Sequence, residues 1–394
     1  LTPECSGAVG MTSHTIMPGN LILADVNGDG RKDFVGYSQD QSGFKISAAS
    51  ADYPFPKIAE FETRGNTTYA GVYIDKIWTG RFQDTKKESV CFRAKDIPGD
   101  YPWYHQRIYC LYLVAGYYRP MFLATTASRA PAEWTYNESQ FAIGDFDADG
   151  YDELLTYNPI GAAGTPMHFF RYVRSSWTSG AFQPAALDMG HLNGIRWPGW
   201  LEIHVGNFED HPECAGKFCY SITRRRTDIL IFNRDAGQIA RYDSYGGSWL
   251  KPPTTFLTAY MSGTGFVEPR EELRVADADG DGFEDIILHD IRYGNNRFIS
   301  PRNGPLNPMP YAAPASGQLP WFGSPSEHHT YFGLMKYHAG EGGNTNTRDD
   351  ALVYFNTSNT YARYDARFSP PWTQTYWFYY EVPVSMIRNA LSLF

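Results

Sequence analysis

Three short acidic segments, each lying between two apolar runs, constrain this chain more than any other feature. They are residues 25–33 (DVNGDGRKD), 145–153 (DFDADGYDE) and 277–285 (DADGDGFED). Each segment places carboxylate or amide oxygens at its positions 1, 3, 5 and 9, and a glycine at position 6 supplies a sharp turn that gathers these oxygens around one point. Such a donor set suits a hard cation that takes about six or more oxygen ligands. The segments together predict calcium binding and an internal repeat.

The predicted cation ligands occupy positions 1, 3, 5, 7 and 9 of each acidic segment. They are Asp25, Asn27, Asp29, Arg31 and Asp33; Asp145, Asp147, Asp149, Tyr151 and Glu153; and Asp277, Asp279, Asp281, Phe283 and Asp285. Short apolar runs such as residues 21–24 and 34–37 flank the segments and lack helical periodicity. We therefore expect each segment to connect two antiparallel strands, which excludes an EF-hand, where the calcium loop joins two helices.

The small residue before each acidic segment recurs along the chain at a nearly even spacing. These anchors, with three weaker copies between them, are Ala24, Gly80, Gly144, Gly206, Ala276 and Gly333, which lie 56, 64, 62, 70 and 57 residues apart. A unit of about sixty residues with short strands and glycine turns has the size of one four-stranded propeller blade with long loops. We expect an all-β fold, a single β-propeller domain over residues 1–394. It would have six detectable blades of four antiparallel strands, with a seventh blade from residues 366–394 and 1–18 as the alternative.

The acidic segments in this strand context resemble the FG-GAP/VCBS repeat family, whose segments of the same form bind calcium within β-propellers. The resemblance covers most of the chain, but it is close only in the odd units, because the even units have lost the acidic segment. It implies one structural calcium ion for each of the three acidic segments.

Charge and composition narrow the choice of partners and compartment. The net charge of −9 argues against nucleic acid, and no run approaches the roughly 18 apolar residues of a membrane span. The chain begins at Leu1 without Met, as after removal of a signal peptide, and it carries glycosylation sequons at Asn66, Asn137 and Asn356. We expect a secreted, extracellular and glycosylated monomer.

The five cysteines fit the same oxidising compartment. Cys91 and Cys110 fall in consecutive predicted strands and could form a disulfide, while Cys214 and Cys219 could close a small loop. Cys5 is left over. Spacing alone does not fix this connectivity.

Strand direction alternates within a blade, so the acidic segments mark one face and most histidines fall in connections on the opposite face. Arginines and aromatic residues join them there, above all in residues 101–107 and 189–200. The predicted catalytic residues are His105, His191, Tyr104 and Arg196. The predicted substrate-binding residues are Arg107, Trp197, Asn193, His14, His289, Arg292, His329, Trp134 and Arg270.

Such a surface suits sugars, so we expect the partner to be an acidic polysaccharide or another glycan. The first hypothesis is a polysaccharide lyase that cleaves a uronic-acid-containing glycan by β-elimination. Arg196 would pair with the carboxylate, one histidine would take the α-proton, and Tyr104 or the other histidine would protonate the leaving oxygen. In architecture the chain resembles secreted propeller polysaccharide lyases, such as the fungal rhamnose–glucuronate lyases.

Three alternatives to the lyase stay open at this point. A calcium-stabilised lectin is the first, although equivalent connections share no common motif, as sugar sites repeated once per blade would. An adhesion scaffold is the second. The third is a glycoside hydrolase that uses Glu268, Glu271 or Glu272.

Overall fold

The structure, a computed structural model, describes most of the predicted strands and fewer of the connections between them. The described residues are 21–40, 42–51, 54–64, 72–96, 106–114, 117–125, 140–146, 148–157, 168–176, 179–184, 201–208, 211–215, 218–224, 227–233, 238–242, 244–245, 249–250, 255–256, 271–276, 283–290, 296–299, 329–335, 350–355, 360–369 and 374–392. All elements in these ranges are strands except one short helix near the C-terminus. The predicted all-β class is thereby confirmed.

Three antiparallel sheets follow one another in the first half of the chain, and in each sheet neighbours in sequence are neighbours in space. The first sheet consists of β1 (Leu21–Ala24), β2 (Asp33–Asp40), β3 (Gly43–Ala49) and β4 (Lys57–Glu62). The second consists of β5 (Val72–Gly80), β6 (Ser89–Asp96), β7 (Gln106–Val114) and β8 (Tyr117–Thr125). The third consists of β9 (Gln140–Gly144), β10 (Glu153–Tyr157), β11 (His168–Ser176) and β12 (Ser179–Pro184).

The second half repeats the pattern with insertions. The fourth sheet is β13 (Leu201–Gly206), β16 (Asp228–Asn233), β17 (Gln238–Tyr242) and β20 (Thr255–Phe256), interrupted by two small hairpins, β14 (His211–Ala215) with β15 (Phe218–Arg224) and β18 (Ser244–Tyr245) with β19 (Trp249–Leu250). The fifth has three described strands, β21 (Glu271–Ala276), β22 (Asp285–Asp290) and β23 (Asn296–Ile299). The sixth is β24 (His329–Met335), β25 (Asp350–Phe355), β26 (Thr360–Ser369) and β27 (Gln374–Pro383), followed directly by α1 (Val384–Leu391).

The first strand of each sheet contacts the first strand of the next. This holds for β1 with β5, β5 with β9, β9 with β13, β13 with β21, and β21 with β24. Five of the six predicted anchors are the last residue of such a first strand. In the sixth sheet the first strand, β24, continues past the anchor Gly333 to Met335. Met335 pairs with Asp350, the first residue of the second strand, just as Ala24 pairs with Asp33 in the first sheet.

Both faces of the first sheet are buried. Ile22, Val35 and Ile46 belong to a core cluster shared with residues of the second sheet, among them Ile77 and Phe92. Aromatic rings cross this interface, since the centroids of Phe44 and Phe92 lie 5.2 Å apart. The residues that alternate with this set point to the other face, and they too are buried: Leu21, Leu23, Phe34 and Ala49. Packing on two sides is what near-continuous apolar strands predict.

The alternative of a seventh blade has no support in the part of it that the structure describes. Residues 366–369 are the end of β26, the third strand of the sixth sheet, and residues 374–383 are β27, its fourth strand. Residues 384–391 form a helix. The helix carries buried Ile387 and Leu391 four residues apart, which is helical rather than strand spacing. Residues 1–18 lie outside the described ranges. No helix in the described part of the chain is long and apolar enough to cross a membrane.

Candidate functional site

The acidic segment of the first sheet is a hairpin loop that curls around the side chain of its first residue. The carboxylate of Asp25 accepts hydrogen bonds from the backbone N–H groups of Gly28 (2.7 Å), Asp29 (3.1 Å) and Gly30 (2.9 Å). Gly28 and Gly30 have φ angles of 81° and 86°, a left-handed conformation that glycine adopts without strain. The predicted strand–loop–strand arrangement is confirmed, since β1 and β2 pair on either side of this loop.

Positions 3 and 5 continue the same curl. The side-chain oxygen of Asn27 accepts a hydrogen bond from the Asp29 N–H (2.8 Å), and the Asp29 carboxylate accepts one from the Arg31 N–H (2.8 Å). Asparagine and aspartate favour such contacts with backbone two residues on. The local sequence therefore engages side-chain oxygens of positions 1, 3 and 5 in hydrogen bonds within one loop.

The acidic segment of the third sheet repeats this geometry. Asp145 accepts hydrogen bonds from Asp149 N–H (3.1 Å) and Gly150 N–H (2.9 Å), and Asp149 accepts one from Tyr151 N–H (2.9 Å). Ala148, which stands where the first loop has Gly28, also adopts a positive φ, of 60°. The predicted ligand Asp147 lies outside the described residues, as do Asp277, Asp279 and Asp281 of the third acidic segment. Buried Phe283 and Asp285 of that segment are described.

Position 9 has a structural role that does not depend on a cation. Asp33 accepts a hydrogen bond from Val26 N–H (3.2 Å), and Glu153 accepts one from Phe146 N–H (2.9 Å), so each carboxylate closes its own hairpin. The same bond joins Asp228 to Phe208 N–H (3.2 Å) in the fourth sheet, which has no acidic segment.

Burial raises the pKa values of several loop carboxylates. The pKa of Asp33 rises to about 8, with the Asp29 charge adding to the effect of burial. Burial likewise raises the pKa of Glu153 to about 9 and that of Asp145 to about 6. A buried carboxylate is costly to ionise unless positive charge lies beside it. A bound cation would supply such charge.

Oxygen donors, loop length and turn residues of the two described acidic loops suit calcium in chemical type. Among the described residues, however, no group of three or more His, Cys, Asp or Glu side chains is arranged to hold a metal ion. The calcium sites predicted from the sequence therefore stay a prediction.

A pair of hydrogen bonds, which we call the inter-sheet clamp, joins the first hairpin loops of neighbouring sheets. Glu88, the residue before β6, donates its N–H to the Asp25 carbonyl (2.7 Å) and accepts the Asp25 N–H on its carboxylate (2.8 Å). The backbone N–H and the backbone carbonyl of Asp25 are thus both hydrogen-bonded to one residue of the next sheet, Glu88. Lys32 adds an ion pair to Glu88 at 2.5 Å.

The clamp recurs at two further junctions. Asp152 holds Arg81 in the same way, with N–H to carbonyl at 3.2 Å and carboxylate to N–H at 2.6 Å. Glu284 holds Asn207 at 2.9 Å and 2.6 Å. At the junction between the third and fourth sheets the N–H of Thr227 donates to the Asp145 carbonyl (2.8 Å).

Sequence reasoning missed the clamp residues, although the signal for them is present. Aligning the units on their second strands places Glu88, Asp152 and Glu284 in one column, directly before the strand. The prediction of cation ligands did not include these acids. Asp152 and Glu284 stand at position 8 of their acidic segments, and Glu88 lies in a unit that has no acidic segment. The same alignment explains the small anchors: a Cβ on Gly144 would lie 2.4 Å from the side chain of Thr227.

The first hairpin loop of the second sheet, residues 81–88, carries positive charge where its neighbours carry acids. Its Arg81 donates a hydrogen bond to the buried carboxylate of Asp152 (2.8 Å), which raises the pKa of the guanidinium. Lys87 lies against the acidic loop of the first sheet, since a Cβ on Gly28 would be 2.8 Å from its Cγ. This loop therefore packs between two acidic loops.

Three of the predicted sugar-face residues lie on described strands, and their backbone positions agree with the predicted face. Arg107 pairs in register with Ala94, near the end of β6. His289 is the second-last residue of β22, and His329 is the first of β24. All three positions are at the strand ends opposite the first hairpin loops. The remaining predicted residues lie outside the described ranges: His105, His191, Tyr104, Arg196, Trp197, Asn193, His14, Arg292, Trp134 and Arg270.

The predicted disulfide between Cys91 and Cys110 is present, with Cα atoms 4.0 Å apart across β6 and β7. Cys214 and Cys219 stand opposite each other in the register of β14 and β15, and their disulfide stays a prediction. Cys5 lies outside the described residues. A disulfide agrees with an oxidising compartment, while secretion itself stays a prediction.

No protein-family model matches the chain, and no curated protein matches its sequence. Among solved structures it is similar to an Agrocybe aegerita lectin that was studied for its specific recognition of non-reducing terminal N-acetylglucosamine. The likeness has a TM-score of 0.52 at 11% identity and covers 93% of this chain and 80% of the lectin chain. At that identity it concerns the fold alone. It relates the chain to a lectin fold and gives no support to the FG-GAP/VCBS resemblance.

Proposed function

We propose that this protein is a glycan-binding β-propeller of the lectin kind, with calcium in its acidic loops. The observation that carries the proposal is the likeness of fold to a carbohydrate-binding lectin over nearly the whole chain. This favours the lectin hypothesis over the lyase, which was the first expectation from the sequence.

The propeller arrangement is supported by the order of contacts between the sheets. Among the described residues, six sheets of three or four strands occur in chain order, their first strands touch in succession, and three inter-sheet clamps lie at the first hairpin loops. Innermost strands that contact each other from blade to blade are what radial repetition requires. The unit boundaries found in the sequence coincide with the sheets.

Calcium is supported by donor chemistry and charge. Asp25, Asn27 and Asp29 accept hydrogen bonds from backbone N–H groups of one loop, and Asp145 and Asp149 do so in the third sheet. Burial disfavours the ionised carboxylates, and a divalent cation would reverse this. The ions would tie hairpin loops that are already joined by clamps, so their role would be structural.

Glycan recognition is assigned to the strand ends opposite the acidic loops, where Arg107, His289 and His329 begin or end strands. Arginine donors pair with carboxylates in a bidentate manner, so uronate-containing glycans are the preferred class. Glycans that end in N-acetylglucosamine are the second class to test, since the similar lectin recognises that sugar.

The test is a binding screen combined with an assay for elimination. The purified protein is titrated with uronate polysaccharides and with glycans that end in N-acetylglucosamine, while absorbance is followed in the ultraviolet band of unsaturated uronates. Binding without a rise in absorbance supports the lectin. A rise establishes the lyase, and no binding to either class overturns the proposal.

A paired substitution locates the site. Arg107→Ala should weaken binding of a uronate glycan, because the guanidinium no longer pairs with the carboxylate. Lys86→Ala, an exposed cation on the acidic-loop side, is the matched control and should leave binding unchanged. Equal effects of the two variants would contradict the assignment of the face.

A further inference from the structure

The second face of the first sheet is covered in part by Phe55, in the connection between β3 and β4, whose ring centroid lies 6.0 Å from that of Phe34. The strand order of this sheet is β1–β2–β3–β4, so β2 and β3 are the two inner strands. One face packs on the second sheet through Val35 and Ile46. On the opposite face Leu23 and Ala49 are fully buried and Phe34 is 3% exposed, so this face is covered as well.

The C-terminal helix α1 contacts both β2 and β3. Because β1 and β4 form the edges of the sheet, an element that contacts both inner strands lies over a face or against the ends of those strands. The second sheet covers one face, and the apolar side that bears Phe34 is the surface left for the buried side chains of the helix. Ile387 and Leu391 form the buried side of the helix at 0% exposure, while Met386 points away at 42%.

The helix is also continuous with the last sheet, because it starts at Val384, directly after β27 ends at Pro383. One short element therefore links the outermost strand of the sixth sheet to a face of the first sheet. The sequence places a difference at the same junction. Where the second, third and fifth units have the clamp acceptors Glu88, Asp152 and Glu284, the first unit has Lys32, whose ammonium donates hydrogen bonds and accepts none.

We propose that α1 is a clasp that joins the last sheet to the first and replaces the carboxylate hydrogen bond of the inter-sheet clamp, which Lys32 cannot supply. Closure of the array then depends on apolar burial of Ile387 and Leu391 rather than on pairing of the two chain termini within one sheet. This holds whether or not the protein binds glycans or calcium, because it rests on the contacts of the helix alone.

The test compares two substitutions in the same helix. Ile387→Asp places a charge on the buried side, and Met386→Asp places the same charge on the exposed side as the control. Hydrogen exchange is followed for peptides from β2, β3 and β27, with β9 and β10 of the third sheet as internal reference. We expect Ile387→Asp to speed exchange in the first group by about tenfold or more while the reference changes little, since stability differs between parts of a structure.

Unchanged exchange in β2 and β3 of the Ile387→Asp protein would overturn the clasp, and so would an equal rise in every sheet or an equal effect of Met386→Asp. If Ile387→Asp does not fold, Ile387→Ala and Leu391→Ala provide the same comparison with a smaller perturbation. Each of these variants should melt several degrees below the wild type, with the early exchange confined to the first and sixth sheets. Wild-type melting and wild-type exchange in both alanine variants would also overturn the proposal.

Discussion

At the scale of single residues, the small anchors before each hairpin loop are explained by the approach of the next sheet. Gly144 leaves no room for a side chain, because a Cβ there would lie 2.4 Å from Cγ2 of Thr227. Thr227 cannot easily move away, since its N–H is bonded to the Asp145 carbonyl. The anchors were visible in the sequence as a period of small residues, but their cause lies in a neighbour some eighty residues away, which no local pattern reveals.

The Gly144→Ala variant tests this explanation. Overpacking of a close contact typically costs about 1–3 kcal/mol, so its free energy of unfolding should fall by that amount. Thr227→Gly removes the opposing side chain, and the double variant should therefore lose less than the sum of the two single changes. Urea denaturation of the four proteins measures this coupling. Strict additivity would show that the two residues do not meet.

The acidic loops permit a second prediction at this scale, on calcium. Saturating a site at about a hundredfold excess over its Kd stabilises a protein by about 2.7 kcal/mol. The rise in melting temperature on adding calcium should shrink in Asp25→Ala, which removes the residue at position 1. Asp84→Ala, in the hairpin loop of the second sheet, is the control and should keep the full rise. A wild type that melts at one temperature with calcium and with chelator would refute cation binding.

At the scale of elements, strands and hairpins could be predicted because their signals are local. Alternation, turn residues and anchors located the six units. The clamp could not be predicted, since it pairs residues from different hairpins, such as Asp25 with Glu88. The helix was not predicted either, because the only arrangement considered for residues 366–394 was an alternative seventh blade. The helix has only two buried residues, Ile387 and Leu391, four residues apart. Two residues are too few to establish a helical period in the sequence.

The clamp itself is tested at Glu88. Glu88→Ala removes the carboxylate that accepts the hydrogen bond of the Asp25 N–H. Loss of such a partner typically costs about 1–3 kcal/mol of unfolding free energy. Glu88→Gln keeps an acceptor oxygen and should recover part of that loss. Glu60→Ala is the control, because the Glu60 side chain is 43% exposed and its ion pairs with Lys45 and Lys57 lie at the surface end of that side chain. Such pairs contribute about 0–1 kcal/mol. Chemical denaturation that ranks Glu60→Ala as the more damaging change would contradict the clamp.

At the scale of the whole molecule, two sets of functional groups occupy opposite ends of the strands. The acidic loops and clamps gather where each first strand ends, and the candidate sugar-binding positions Arg107, His289 and His329 gather at the other end. The order of strands in the sequence predicted these opposite ends, because strand direction alternates along a meander and alternate connections therefore lie on opposite faces. The predicted catalytic residues, among them His105 and His191, lie outside the described residues, so the lyase hypothesis stays a prediction.

This separation predicts that calcium and glycan act independently at low temperature. A chelator should lower the melting temperature, since it removes charge that stabilises the buried carboxylates of the acidic loops. It should leave the affinity for a bound glycan within about twofold while the protein stays folded, because the predicted calcium sites would lie a strand length away from the proposed sugar site, roughly 17–20 Å. Calorimetric titration with glycan at low temperature, with and without chelator, measures this, and circular dichroism confirms that the fold is kept. Immediate loss of glycan binding by a folded, chelated protein would place calcium in the sugar site itself and overturn the division of the two faces.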